Sequence, residues 1–438
     1  MIKNIIKYKF NKNFLINFLF NIFPLIILLS SGYINIYIAF FIIYGYKFLF
    51  SNKIKIRIFF FDYLILIFFI LSIVSTIVNY GNSDYIILAK SIADIRFAFL
   101  FLLIRNLFHH EIIKINTLLI LSTFCTIFVS LDIFLQFTHG KDILGYPEID
   151  GRYGGIFGKE AIAGSYIQKL SILAITLFFY LKLQKKLNNN ILIILIIFVL
   201  GAGILMTLDR MPFFIYIFSL LLLLILLKGF RKIISLSLLI IILFFTIMYK
   251  YNDRIYNRFQ PINKIAQIVN SQIIDLTNKD RNAINKNENF KEKTSKTGIE
   301  YFALYNSAFY VLKDSFWIGS GTKSYYKKCH ELTKNKQDLL CAPHPHNLYL
   351  EILINQGITG FILFSIFLFF LFKKYFLYLT NFRINTTDRL LKITFLIILI
   401  AELWPLRSYG SIFQTVNGSI FWFILALISS NKYSLKSS

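Results

Sequence analysis

The amino-acid sequence predicts an all-α integral membrane protein with about twelve transmembrane helices. Of its 438 residues, 57% are hydrophobic and 18% are aromatic. Apolar runs long enough to cross a bilayer recur from one end of the chain to the other. One long polar segment, residues 249–345, separates the ninth predicted helix from the tenth.

The predicted spans are placed where hydropathy stays high over a helical length. They comprise residues 14–31, 33–50, 58–78, 86–107, 118–137, 161–181, 191–206, 213–227, 233–248, 350–372, 391–404 and 419–431. Several are shorter than the roughly 20 residues that a spanning helix needs, so we expect these to extend into their flanks.

The net charge of +25 is assigned to membrane topology. The lysines lie mostly in short loops beside apolar spans, and basic loops stay in the cytoplasm. When the loops are assigned alternately to the inside and the outside of the membrane, every predicted inside loop is basic. The charge is therefore not taken as a sign of nucleic-acid binding. Four lysines precede the first apolar run, and no small-residue cleavage site clearly follows it. An uncleaved first helix and two cytoplasmic termini are therefore expected.

This topology divides the chain into three parts. Residues 1–248 form a bundle of nine helices, residues 249–345 form a periplasmic loop, and residues 346–438 form three further helices. In the loop, apolar side chains recur at helical spacing and predict an amphipathic helix on the outer membrane face. They are Phe302, Tyr305, Phe309 and Leu312.

Three arginines fall in predicted outside loops, where the positive-inside rule does not explain them. They are Arg152, Arg210 and Arg407. Arg96 lies about 15 Å along the fourth span, at 1.5 Å per residue. Charges at this depth are costly unless they are paired or hydrated. Two explanations of such a charge are possible: a polar cavity that opens to the outer side, or a structural ion pair such as Arg96 with Asp132.

Two cysteines and two histidines precede the tenth span. Cys329 and Cys341 lie in the outside loop, where an oxidising compartment favours a disulfide. The competing hypothesis is a zinc site that adds His344 and His346 as ligands. Pro345 is expected to limit the convergence of the two histidines, so the disulfide is preferred, and no metal or other cofactor is predicted.

The spacing from His346-Asn347 to Gly357 and Gly360 resembles the histidine motif of the O-antigen ligase family. Other stretches are similar to the superfamily that this family shares with O-antigen polymerases. They are Gly140-Lys141-Asp142 through Gly151-Arg152 to Ala163-Gly164-Ser165, Asp209-Arg210-Met211, Lys313-Asp314 with Gly319-Ser320-Gly321, and Pro405-Leu406-Arg407 with Gly410-Ser411. The resemblance therefore covers most of the chain.

This resemblance implies transfer of a glycan from undecaprenyl diphosphate to an acceptor hydroxyl, expected on lipid A core. The reaction is placed at the periplasmic face of the bacterial inner membrane. Arg152 and Arg210 are expected to hold the diphosphate, because a guanidinium grips two phosphate oxygens and stays charged. His346 is the expected general base for the acceptor hydroxyl. With no second nucleophile in the motif, we expect an inverting, metal-independent transfer.

Supporting or substrate-binding roles are expected for Arg96, Arg407, His344, Asn347 and Glu351. Asn347 and Glu351 are four residues apart, so the carboxylate is expected to anchor the amide. Gly357 and Gly360 are expected to form a small-residue face for close helix packing.

Two other functions remain open. An O-antigen polymerase would use a second lipid-linked repeat as acceptor, and neither Arg152 nor Arg210 is followed by a glycine sixteen positions later, which favours the ligase. A non-enzymatic flippase or exporter of lipid-linked glycans would spread its charges through the membrane depth. The Thr207-Leu208 pair also departs from the small polar residues that often precede this arginine in relatives.

Overall fold

The computed structural model describes residues 13–80, 84–158, 160, 162–260, 299–333, 340–380, 386–405, 407–408 and 410–430. Within these ranges every regular element is a helix, and strand geometry is limited to two isolated bridges, Lys141–Pro147 and Ile149–Arg152. The predicted all-α class is confirmed for this part of the chain. The predicted cytoplasmic termini, residues 1–12 and 431–438, lie outside it.

The α-helices are numbered here in chain order. They are α1 (Phe14–Asn21), α2 (Phe23–Ile26), α3 (Ser31–Ser51), α4 (Phe60–Tyr80), α5 (Tyr85–Ala93), α6 (Arg96–His109), α7 (Asn116–His139), α8 (Ala163–Leu183), α9 (Asn190–Met206), α10 (Arg210–Leu226), α11 (Arg231–Tyr251), α12 (Asp253–Phe259), α13 (Ile299–Asp314), α14 (Tyr325–Thr333), α15 (Leu348–Thr380), α16 (Thr386–Glu402) and α17 (Thr415–Ser429).

Six helical segments in the described ranges are long and apolar enough to cross a membrane. They are Ser31–Ser51, Phe60–Tyr80, Asn116–His139, Ala163–Leu183, Lys228–Tyr251 and Leu348–Leu377. Helices α9, α10 and α17 are apolar but shorter. The chain is thus a helical membrane protein, while the count of twelve spans stays a prediction.

Two predicted spans are interrupted. The first, residues 14–31, is present as α1 and α2, and Pro24 at the start of α2 has no N–H to continue the bonds of α1. The fourth, residues 86–107, breaks between α5 and α6 at Asp94. The depth predicted for Arg96 assumed one continuous helix, and it stays a prediction.

The described residues form two compact units. The first unit takes its residues from 1–70, 92–242 and 362–438, and the second from 71–91 and 243–361. The predicted three-part division follows membrane topology and stays a prediction.

In the first unit, α7 packs against α8 and α9, and α17 packs against α6. Close approach of α7 and α9 depends on Gly203, where a Cβ would lie 2.6 Å from the Ser130 side chain. Small residues let helix backbones approach closely in membranes. They set the packing here as well.

In the second unit, α13 and α14 pack together around a small core. The predicted amphipathic helix is present as α13. Its face toward the small core is formed by Ala308 and Val311, which are fully buried, and Leu312 of the predicted apolar set is buried as well. Phe309 is 49% exposed. The side chain of Phe302 lies outside the described set, and the location on the membrane face stays a prediction.

Candidate active site

Arg152 leaves a tight hairpin in the first unit, within residues 141–158, which we call the arginine loop. Ile149 and Arg152 exchange two backbone hydrogen bonds of 3.0 Å each. Asp150 and Gly151 between them both have positive φ, 52° and 68°. An Asp-Gly pair with two positive φ values is typical of a type I′ turn. The direction in which Arg152 leaves the hairpin is therefore set by the turn.

The structure brings Arg152 to the turn that carries Arg210. The N–H of Tyr153 donates to the carbonyl of Thr207 over 3.2 Å. The Arg152 Nη1 lies 3.4 Å from the Asp209 Oδ1, and the Arg152 side chain remains 40% exposed. Arg210 follows directly as the first residue of α10. The two arginines predicted to bind diphosphate therefore share one corner of the first unit.

The turn before α10 is strained. Leu208 is buried and has a φ of +62°, a conformation that costs about 1–3 kcal/mol outside glycine. Thr207 steadies the turn, because its Oγ1 accepts the N–H of Asp209 at 3.2 Å. The start of α8 lies alongside, since a Cβ on Gly164 would be 3.2 Å from the Asp209 Oδ2. Helix N-termini favour anions, so both helices add positive potential around Asp209 and Arg210.

Arg407 is held inside the first unit and is only 5% exposed. Its Nη1 donates to the carbonyl of Ala401 at 3.1 Å and to the Glu402 Oε1 at 2.9 Å. Its Nη2 donates to the Gln168 Oε1 at 2.9 Å. Lys169 lies 3.5 Å from the same Glu402 carboxylate. These contacts link α8 to α16, so Arg407 joins the two helices.

Arg96 pairs with its neighbour in sequence. Its Nη2 lies 3.6 Å from the Asp94 Oδ1, its Nη1 donates to the carbonyl of Ala93, and its guanidinium lies over the ring of Phe97. The suggested pair with Asp132 is wrong, because Asp132 accepts two backbone N–H groups of the arginine loop. The break between α5 and α6 brings Arg96 to Asp94.

His346 lies two residues before α15 in the second unit, in a left-handed conformation with φ +54°. The ring centroids of His344 and His346 are 4.2 Å apart. The expectation that Pro345 limits their convergence is therefore wrong. The left-handed residue turns the chain back, so the two imidazoles meet, and both side chains are half-buried.

Asn347 caps the N-terminus of α15. Its Oδ1 accepts the N–H groups of Tyr349 at 3.0 Å and Leu350 at 3.2 Å. An asparagine at this position satisfies donors that the first helical turn leaves open. Glu351, which is buried, donates its backbone N–H to the carbonyl of Asn347. The predicted anchoring of the Asn347 amide by the Glu351 carboxylate stays a prediction.

Helix α15 is kinked at Gly357, which has φ 66° and ψ −166°. Residues 316–321, which we call the glycine loop, take over the backbone hydrogen bonds that the kink opens. The N–H of Ser320 donates to the carbonyl of Ile354 at 2.7 Å, and the N–H of Ile358 donates to the first carbonyl of the loop at 2.9 Å. An interrupted helix in a membrane protein is stable where such partners satisfy its backbone.

Where the glycine loop crosses α15 at the kink, glycine is required both in the loop and in the helix. A Cβ on Gly357 would collide with backbone atoms of Trp317 and Gly319. A Cβ on Gly319 would collide with backbone atoms of Asn355, Gln356 and Gly357. Gly357 thus admits a loop, where the sequence predicted a helix-packing face. Gly360 instead makes room for the side chain of Gln356, because a Cβ there would overlap it.

Polar side chains of α4 hold the glycine loop from its other side. Ser75 Oγ donates to the carbonyl of Asn355 at 2.9 Å, and Asn79 Nδ2 donates to the carbonyl of Gly319 at 2.8 Å. All of these contacts lie within the second unit. The polar face of α4 therefore holds both the glycine loop and the part of α15 just before the kink.

Cys329 and Cys341 are joined by a disulfide, with Cα atoms 5.8 Å apart. Both sulfurs are therefore used, and the four-ligand zinc hypothesis is wrong. In the described part of the chain, no group of three or more His, Cys, Asp or Glu side chains is placed to hold a metal ion. Cys329 also packs with Ala308 and Val311 in the small core of the second unit.

Comparison with known families adds an independent finding. The sequence model of the O-antigen ligase family matches residues 192–365. This segment is therefore similar to the O-antigen ligase family. It contains Arg210 and the whole histidine motif from His346 to Gly360, whereas Arg152 and Arg407 lie outside it. The match indicates the superfamily of O-antigen ligases and polymerases and implies an enzyme of the membrane glycosyltransferase type. No curated protein sequence matches the chain.

The sequence pattern did not predict which residues hold the arginine loop. It suggests Asp132 only as a partner of Arg96 and assigns no role to Gln136. The signal that identifies them is spacing, because two polar residues four positions apart occupy one face of an apolar helix. The ion pair of Arg152 with Asp209 was also missed, since it joins residues 57 positions apart.

Proposed function

We propose that this chain is a member of the O-antigen ligase family and transfers a glycan from undecaprenyl diphosphate to an acceptor hydroxyl of lipid A core at the periplasmic face of the inner membrane. The observation that carries the proposal is the position and backbone conformation of His346. It lies in the matched segment, has the spacing to Gly357 and Gly360 that resembles the family motif, and has a left-handed conformation two residues before α15. Backbone strain of this kind is concentrated at functional sites.

Arg152 and Arg210 are the proposed source of the positive charge that the leaving diphosphate needs. As the glycosidic bond breaks, the diphosphate gains negative charge, and fixed guanidinium groups stabilise it. Arg152 and Arg210 lie at the same corner, beside the N-termini of α8 and α10. This arrangement suits a diphosphate, which is divalent or more and offers oxygens to several donors at once.

A base is also needed for the acceptor. The acceptor hydroxyl loses a proton as it attacks the anomeric carbon, and a neutral imidazole accepts it. We assign this role to His346. Its neighbour His344, in ring contact with it, is assigned a supporting role in orienting the imidazole or the acceptor.

The decisive experiment is a glycolipid profile of cells that lack the gene. A ligase leaves bare lipid A core and long glycan chains on undecaprenyl diphosphate. A polymerase leaves core that carries a single repeat, and a flippase leaves the carrier-linked glycan on the cytoplasmic face. Restoration by the native gene but not by a His346→Asn variant ties the defect to the motif. Long chains on core in the deleted cells would overturn the proposal.

A further inference from the structure

Two polar side chains of α7 face the arginine loop. Asp132 and Gln136 are four residues apart and almost fully buried, with 2% and 0% exposure. The Asp132 Oδ1 accepts the N–H of Ile143, and its Oδ2 accepts the N–H of Ile156, both at 2.9 Å. One carboxylate therefore holds the loop on both sides of the hairpin that presents Arg152.

Gln136 adds one further acceptor bond and two donor bonds. Its Oε1 accepts the N–H of Gly155 at 2.8 Å. Its Nε2 donates to the carbonyls of Tyr146 at 3.0 Å and Pro147 at 3.2 Å. Together the two side chains bind backbone groups before and after the hairpin, so the position of the hairpin depends on one face of α7.

The chemistry of each side chain matches its partners. Asp132 meets two N–H donors, and only a carboxylate offers an acceptor oxygen to both of them. Gly155 has a φ of +54°, and a Cβ there would lie 2.6 Å from the Asp132 Oδ2. The backbone thus comes as close to the carboxylate as a glycine allows. Buried polar groups are retained where such bonds satisfy them.

We propose that Asp132 and Gln136 are positioning residues for the diphosphate site. By fixing both sides of the hairpin, they place Arg152 beside the turn that carries Arg210. A long side chain that is 40% exposed depends on its backbone for its position. The inference rests on the proposed role of Arg152 in binding diphosphate.

The test uses the full chain in detergent micelles and undecaprenyl diphosphate as the probe. Its affinity is measured for Asp132→Asn, Arg152→Ala and the double variant, together with deuterium exchange in peptides of the arginine loop. Thr126→Val is the matched control, because Thr126 is also buried on α7 but donates only to carbonyls of its own helix.

We expect Asp132→Asn to weaken binding about tenfold, as a buried donor loses its acceptor. The loop peptides should exchange faster. The double variant should bind no more weakly than Arg152→Ala, because Asp132 acts through Arg152. Thr126→Val should match the native chain in both measurements.

Additive losses in the double variant, or faster exchange with unchanged affinity, would overturn the inference. If Arg152→Ala itself leaves the affinity unchanged, the proposed role of Arg152 fails instead. Should Asp132→Asn not fold, Gln136→Glu serves in its place. It keeps an acceptor for Gly155 and removes both donors, so the same increase in exchange and loss of affinity are expected.

Discussion

At the scale of single residues, the backbone conformation of His346 and the chemistry of its imidazole can be tested separately. Asparagine tolerates positive φ but has no titrating ring. We expect His346→Asn to keep the melting temperature of the native chain and to lose about 100-fold or more of the transfer rate, the usual contribution of a general base. Initial rates and thermal unfolding of the same preparation check this.

His344→Asn is the matched control for that variant, because it alters the neighbouring ring and leaves His346 intact. A smaller loss of rate is expected from it. If His346→Asn kept most of the rate, or if His344→Asn lost more, the assignment of the base would be wrong.

The outside arginines are expected to separate into a binding residue and a structural one. Arg407 is buried and bonded to Gln168 and Glu402, whereas Arg152 is 40% exposed. Removing one partner of a buried ion pair costs about 3 kcal/mol or more, so Arg407→Met should strongly destabilise the chain. Arg152→Met should change stability by about 0.5 kcal/mol or less and weaken binding of undecaprenyl diphosphate. Chemical unfolding and a binding titration test the pair, and equal losses of stability would refute the distinction.

At the scale of elements, the crossing of α15 by the glycine loop explains two glycines that motif spacing alone does not. Gly357→Ala introduces a Cβ at a φ of 66° and against the backbone of the loop. We expect a loss of about 2 kcal/mol or more in unfolding free energy, with Gly319→Ala similar. Gly32→Ala is the control, since a Cβ there meets nothing within 4 Å and lies in a helix. Equal stability of Gly357→Ala and the native chain would contradict the described crossing.

An ion pair within the second unit is expected to make the stability of the fold depend on pH. Lys327 Nζ lies 3.0 Å from the Asp84 Oδ2, and this hydrogen bond lowers the pKa of Asp84 and raises that of Lys327. The lowered carboxyl pKa stabilises the fold above the unfolded value of about 3.9, and that contribution is lost as pH falls further. The raised lysine pKa stabilises below about 10.4, and that contribution is lost at higher pH.

The difference in melting temperature between the native chain and Asp84→Asn should therefore be constant near neutral pH and shrink at both extremes. High salt should reduce it, because the pair is at the surface. A difference that does not change between neutral and strongly acidic pH would show that the pair contributes nothing.

At the scale of the whole molecule, local apolar patterns predicted the class and most long helices. The predicted spans 33–50, 58–78 and 118–137 match α3, α4 and α7 to within about two residues, because hydropathy is a property of contiguous sequence. The kink at Gly357 was not predicted. It depends on a loop about 40 residues earlier, and no window of local sequence contains both.

In the candidate site, too, local features could be predicted and long-range contacts could not. The types of its residues were predicted, because an outside arginine or a spaced histidine motif is visible in the chain itself. Their arrangement was not, since Arg152 meets Asp209 and is held by α7 only through the folded arginine loop. The pairing of Arg96 was predicted wrongly for a related reason, because the break before α6 is not a feature of hydropathy.

The reaction as a whole makes a stereochemical prediction. The proposal uses one base on the acceptor and fixed positive charge on the leaving diphosphate, with no covalent bond between sugar and protein. A single displacement at the anomeric carbon then inverts its configuration, whereas two displacements retain it. Anomeric coupling constants, measured by NMR for the sugar on undecaprenyl diphosphate and again for the same sugar on the acceptor, decide between them. Retention would require a protein nucleophile, and the assignment of His346 as a base that acts directly on the acceptor would have to be abandoned.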